Sequence, residues 1–373
     1  MTTKMREMGH REIRKTKFQD NEFLRKLKVA SLTPIEPTYR GDFLSADRVL
    51  FIEHLVKIEK LVLQIGNSQD DCFEVEYGKI EPINKIGWEI CQILKKDFKL
   101  WYYSQFYDYL KYFQISPNFE IFMEEFTKIG ARVRIFFRKN LAEIAHTECS
   151  KLNGAVSAIR ERINTPEFRK QMHNFRRSSD KNLRSFQLYI EKCFEICPRL
   201  LVLRIDLYYK NGTFDGKSLG ESFEMVQQHW QKWIRRFKNK MDKAYVGYAK
   251  ILEYGYQKSL YFHVFLLLDG SLVRQDIAIA KRAGKDWSDV VTQGVGRSHN
   301  CNLKKENYNR FGIGMVYEEE KDRRAALNDI MAYMIKINYF IKLVTPDGSC
   351  VFSKGDMPRK KLKLWRPRET LVS

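Results

Sequence analysis

The stretch that most constrains this chain is Leu260-Tyr261-Phe262-His263-Val264-Phe265-Leu266-Leu267-Leu268, an apolar and aromatic run holding one histidine. Gly255 precedes it and Asp269-Gly270 closes it, so it reads as a buried strand, the second arm of a hairpin whose first arm ends near Tyr254. The run is far shorter than the roughly 20 residues a membrane helix needs, and no membrane partner is expected. By alternation Tyr261, His263, Phe265 and Leu267 share one sheet face, and Phe262, Val264 and Leu266 the other. A buried imidazole must find hydrogen-bond partners or bind something. Asp206, Glu253 and His299 are the other ligand-type side chains that this reading brings near it. A divalent ion held by histidine and carboxylate on a sheet could polarise a scissile phosphate.

The elements around this hairpin set the fold class. Leu200 to Tyr209 alternates, with Leu201, Leu203, Ile205 and Leu207 on one face and Arg204 and Asp206 on the other, and Asn211-Gly212 closes it. An amphipathic helix follows over about Gly220 to Lys240, burying Phe223, Val226, Trp230, Trp233 and Phe237 and turning Lys232, Arg235, Arg236 and Lys238 outward. After the hairpin come a helical stretch from Val273 to Gln293 broken at Gly284, a loop over Gly294 to Asn302, a short strand at Gly312 to Tyr317, and a last helix from about Asp322 to Leu343. Strands and helices in that order, with a hairpin in the middle, predict an α+β sandwich on an antiparallel sheet.

The first half reads differently. Phe51, Leu55, Ile58, Val62 and Ile65 recur at steps of four and three, Tyr102, Phe106, Tyr109, Leu110 and Phe113 repeat the pattern, and Phe122, Phe126 and Ile129 begin a third helix. Aromatic stripes at that spacing are core, and no catalytic spacing occurs here. The basic segment Arg169 to Arg184 reads as a linker. The chain therefore divides into a basic arm over 1–30, a mainly α-helical part over 31–192, a sheet domain over 193–345 and a basic tail over 346–373. Lysines and arginines number 66 against 46 acidic residues, a net +20 spread over both halves. That excess suits a polyanionic partner. Arg204, Lys232, Arg235, Arg236, Lys238 and Arg297, with Lys360, Lys361 and Lys363 of the tail, are the nucleic-acid contacts this charge suggests. The seven cysteines are scattered without a ligand or disulfide spacing, and no apolar run follows the N-terminus, so a reduced, cytoplasmic chain is expected.

On the last helix Leu327, Ile330, Met334, Ile337 and Ile341 form the expected packed face, Tyr333 and Lys336 stand together at its rim, and Tyr339 projects away. A tyrosine there could attack phosphorus as a phenolate, with the lysine steadying the charge, although Tyr339-Phe340-Ile341-Lys342 repeats the spacing. Taken in order, Val202-Leu203-Arg204-Ile205-Asp206-Leu207, Tyr261-Phe262-His263-Val264-Phe265-Leu266, Asp269-Gly270-Ser271, His299-Asn300-Cys301-Asn302, Gly312-Ile313-Gly314-Met315 and Tyr333-Met334-Ile335-Lys336 resemble the inovirus replication-protein family known as the YagK/YfjJ C-terminal domain. That family is in turn similar to the HUH rolling-circle endonucleases. The resemblance implies a ferredoxin-like, HUH-type antiparallel sheet with helices packed on one face. It implies a phage or prophage replication initiator in a bacterial cytoplasm, acting on DNA, single-stranded or in an origin hairpin, with a host helicase as a further partner. It makes His263 a ligand of Mg²⁺ or Mn²⁺ and Tyr333 the nucleophile that leaves a 5′-phosphotyrosine and a free 3′-OH. One position departs: the first histidine of the family's pair is here Tyr261. Glu253 or His299 then completes the site, or metal binding is weakened, or the domain binds DNA without cutting it.

Overall fold

The computed structural model describes residues 43–96, 112–129, 142–255, 259–307, 312–346 and 350–358. The arm 1–30, the aromatic stretch 102–111, the hairpin turn 256–258 and the tail lysines Lys360, Lys361 and Lys363 lie outside them.

The first half holds α1 (Phe43–Asn67), a small hairpin of β1 (Phe73–Glu76) and β2 (Lys79–Pro82), α2 (Lys85–Lys96), β3 (Phe113–Ile115), α3 (Pro117–Lys128), α4 (Ala142–Ile163) and α5 (Pro166–Ile196). The helical period is met where expected: Leu55, Ile58, Val62 and Ile65 are buried on α1, and Phe122 and Phe126 on α3. Phe113, expected on a helix, belongs to β3. The expected linker Arg169 to Arg184 is instead the body of α5, which runs on across 192–193. Thr165 caps this helix by accepting from the Phe168 N–H, and Pro166 occupies the first turn. Phe168, Met172, Phe175, Leu183, Phe186 and Ile190 form its buried stripe between the charges.

The second half contains β4 (Arg199–Tyr209), α6 (Leu219–Met241), β5 (Tyr245–Gly255), β6 (Ser259–Asp269), α7 (Asp276–Lys285) continued by a π-helical turn at Asp286–Val291, β7 (Gly296–Asn300), a 3₁₀ segment at Cys301–Asn307, β8 (Gly314–Tyr317), α8 (Lys321–Lys336), β9 (Ile341–Leu343) and β10 (Phe352–Lys354). Helices and antiparallel sheets together make the chain α+β. The main sheet runs β10-β5-β6-β4-β7, with β8 also pairing with β4. Every pairing is antiparallel.

Each sheet face feeds its own core. Leu201, Leu203, Ile205, Leu252, Phe262, Val264 and Leu266 pack with Phe223, Trp230, Trp233 and Phe237 of α6 and Ile279 and Ala283 of α7. On the reverse, Leu200, Val202, Ala249, Ile251, Phe265 and Leu267 pack with Phe186, Tyr189, Ile190 and Phe194 of α5 and Leu327, Met331, Met334 and Ile335 of α8. Helices therefore cover both faces and not one. The same reverse core continues to Leu55 and Val62 of α1.

Three further expectations are corrected. Residues 296–300, read as loop, form β7, because their place against β4 comes from a distant partner and not from local alternation. The last helix stops at Lys336, and Ile341 to Leu343 turns into β9, paired with β3. Tyr339 is buried and donates to Asp180 at 2.5 Å, rather than projecting outward. The start of the expected tail contributes β10 to the sheet edge beside β5.

Candidate functional site

The register brings the polar residues of the sheet into one row. Asp206 on β4 lies directly opposite His263 on β6 and, across its other edge, directly opposite His299 on β7. Glu253 on β5 lies opposite Tyr261 on β6. Cross-strand partners share a face, so all five stand on the side covered by α5 and α8. His263 is 9% exposed, Glu253 8%, Asp206 4% and Tyr261 2%. His263 Nδ1 bonds Asp206 Oδ1 at 2.6 Å, and its Nε2 lies 3.5 Å from Glu253 Oε2. Tyr261 donates its hydroxyl to that same Glu253 oxygen at 2.5 Å and sets its ring edge-on to the imidazole, 5.1 Å between centroids. Burial alone would lower the pKa of His263, but Asp206 and then Glu253 outweigh it and raise the pKa to about 9. At neutral pH the ring is an imidazolium bridging two carboxylates.

The fit of a divalent ion can be judged on this donor set. Nδ1 is occupied by Asp206, the arrangement in which a carboxylate orients an imidazole whose other nitrogen binds metal. Nε2 and Glu253 Oε2 lie 3.5 Å apart and are the pair that would hold an ion here. Tyr261 adds no donor while its hydroxyl serves Glu253. Among the described residues, no group of three or more His, Cys, Asp or Glu stands ready to hold a metal. His263 and Glu253 thus offer two donors, and an ion bound there would have to displace the proton on His263.

Helix α8 packs on the face that bears His263, through Leu327, Met331, Met334 and Ile335. The side chains of Tyr333 and Lys336 lie outside the described residues. Tyr339, the rival in the repeated spacing, is withdrawn: burial, and then its bond to Asp180, push its hydroxyl well above the usual range. Lys342 donates to the Phe175 carbonyl and to Ser178, and burial lowers its pKa to about 8.

Asn302 is fully buried and pins β4 by accepting from the Arg204 N–H and donating to the Val202 carbonyl, while Asn300 donates to the Ile277 carbonyl. Those two positions of the His-Asn-Cys-Asn segment tie it to β4 and to α7. Arg204, expected on a nucleic-acid surface, is 3% exposed, on the same covered face as His263. Lys232, Arg235, Lys238 and Arg297 are exposed, while Arg236 joins Lys240 in an ion pair with the buried Asp286. Sequence reasoning missed Lys250, a buried lysine on β5 whose ammonium lies 4.5 Å from the Phe262 ring centroid and 4.8 Å from that of Trp230. Burial brings its pKa down to about 7. The one signal for it was a cation breaking the apolar alternation of its strand.

No family model, curated protein or solved structure matches this chain. Among the described residues no helix is long and apolar enough to cross a membrane.

Proposed function

We propose that this chain is a rolling-circle replication initiator that nicks single-stranded DNA through Tyr333. The observation that carries the reading is the register row, which gathers Asp206, His263, Glu253 and His299 on the sheet face where α8 packs. The strand order supports it as well. β4, α6, β5, β6, α7 and β7 follow one another with β4 and β6 central, which is the order of a ferredoxin-like sheet and the frame of the HUH endonucleases. In this reading the Tyr333 oxygen bonds to phosphorus as the P–O3′ bond breaks. The phenolic proton leaves to solvent while the Lys336 ammonium steadies the phenolate, and the departing 3′ oxygen takes up a proton to become the free hydroxyl. The 5′-phosphotyrosine conserves the phosphodiester energy for rejoining. His263 and Glu253 would hold Mg²⁺ or Mn²⁺, which would supply charge to neutralise the phosphate. Asp206 orients the imidazole, and Tyr261 orients Glu253.

A second reading, a DNA-binding relative that does not cut, is favoured by one feature: Tyr261 in the place of a ligand, with its hydroxyl spent on Glu253. Incubation with labelled single-stranded origin DNA and Mn²⁺ separates the two. The nickase gives a covalent adduct that is lost in Tyr333→Phe and retained in Tyr339→Phe. Salt-sensitive binding with no adduct on either origin strand would leave the second reading standing.

A further inference from the structure

We infer that α6 reads duplex DNA, laying its outer face in the major groove on the side of the sheet opposite His263. The inference rests on the DNA-binding part of the reading above and not on its chemistry. Helix α6 is 23 residues long, about 35 Å at helical rise. Its start is fixed by a capping box between Ser218 and Glu221. Its inner stripe, Phe223, Val226, Trp230, Trp233 and Phe237, is buried against the sheet. The outer stripe is Glu224, Gln228, Gln231, Lys232, Arg235 and Lys238, all exposed and, apart from the adjacent Gln231 and Lys232, at steps of three and four.

The chemistry of that stripe selects the partner. Glutamine and arginine are the side chains that bond adenine and guanine edges in the major groove, and Glu224, here accepting from Gln228 at 3.3 Å, is the type that accepts from cytosine. The neighbouring helix α7 adds exposed Lys281, Arg282 and Lys285, so the layer is basic and suits phosphates flanking a groove. Single-stranded DNA is a poorer match for this face. Such binding needs exposed rings for base stacking, and Trp230, Trp233, Phe237 and Trp287 are all buried beneath it. The helix is held rigidly for reading. Arg236 forks onto Asp286 at 2.8 and 3.0 Å, Lys240 joins at 2.6 Å, and Trp233 donates to the Ala283 carbonyl at 3.0 Å.

The test is selection by the full chain from a random-sequence duplex pool, with a random single-stranded pool beside it. The wild type should enrich a duplex motif. Gln231→Ala and Arg235→Ala should each lose about ten-fold or more of the preference at one base pair, with thermal melts unchanged because both side chains are exposed. A motif that both variants still enrich unchanged would overturn the inference. So would salt-sensitive DNA binding, or a Tyr333-dependent adduct, without any duplex motif, and in either case the DNA reading survives. Absence of all DNA binding would overturn both.

Discussion

His263 is held as a cation by two acids, and that has a measurable sign. Its pKa in the folded protein is about 9, against a reference value of about 6.5. The group therefore contributes stability fully below the unfolded value, and the contribution fades as pH rises through about 9. Melting temperature should fall between those limits in the wild type, and the part of the fall due to this residue should vanish in His263→Gln. That variant should also be less stable at neutral pH by roughly 3 kcal/mol or more, since two buried carboxylates lose the charge between them. Denaturant titration at two pH values checks both statements. An equal pH dependence in the two proteins would show that the ring is not charged in the fold.

The sheet and α5 are joined at one close approach. Tyr189 on α5 brings its hydroxyl up to the strand where β5 bulges and accepts there from the Tyr248 N–H at 3.2 Å. A Cβ added at Gly247 would meet that oxygen at 2.1 Å. The Tyr189 ring is fully buried and has no free direction in which to move. Gly247→Ala should therefore destabilise the protein by about 1–3 kcal/mol through overpacking, read as a lower denaturant midpoint with an unchanged slope. A midpoint within error of the wild type would mean that α5 and the sheet yield at this joint. Nothing in the local sequence marks Gly247 as special, because the group that needs the space lies on α5, far back in the chain.

At the scale of the molecule the governing quantity is the net +20. On the proposed reading, DNA affinity should fall steeply with salt, with a slope set by the number of phosphates neutralised. Removing one exposed cation of the α6–α7 layer, as in Lys281→Ala, should reduce that slope by about one and weaken all sequences alike. A slope unchanged by loss of α6–α7 cations would place the backbone contacts elsewhere on the surface.

Alternation and helical period were enough to place β4, β5, β6, α6 and the buried stripe of α1, because each of those elements buries a face that its own residues mark out. Asp206 and Glu253 could be chosen as neighbours of His263 for the same reason: a period of two puts polar residues of adjoining strands on a common face, whereas His299, read on a loop, reaches Asp206 only through β7. Three things needed the tertiary structure. Residues 296–300 carry no strand pattern of their own and gain their hydrogen bonds from β4. Ile341 to Leu343 leaves the helical period because β3, far back in the chain, supplies its partner. The charge state of His263 depends on oxygen atoms 2.6 and 3.5 Å from its ring, distances fixed by register and packing and written in no single stretch of sequence.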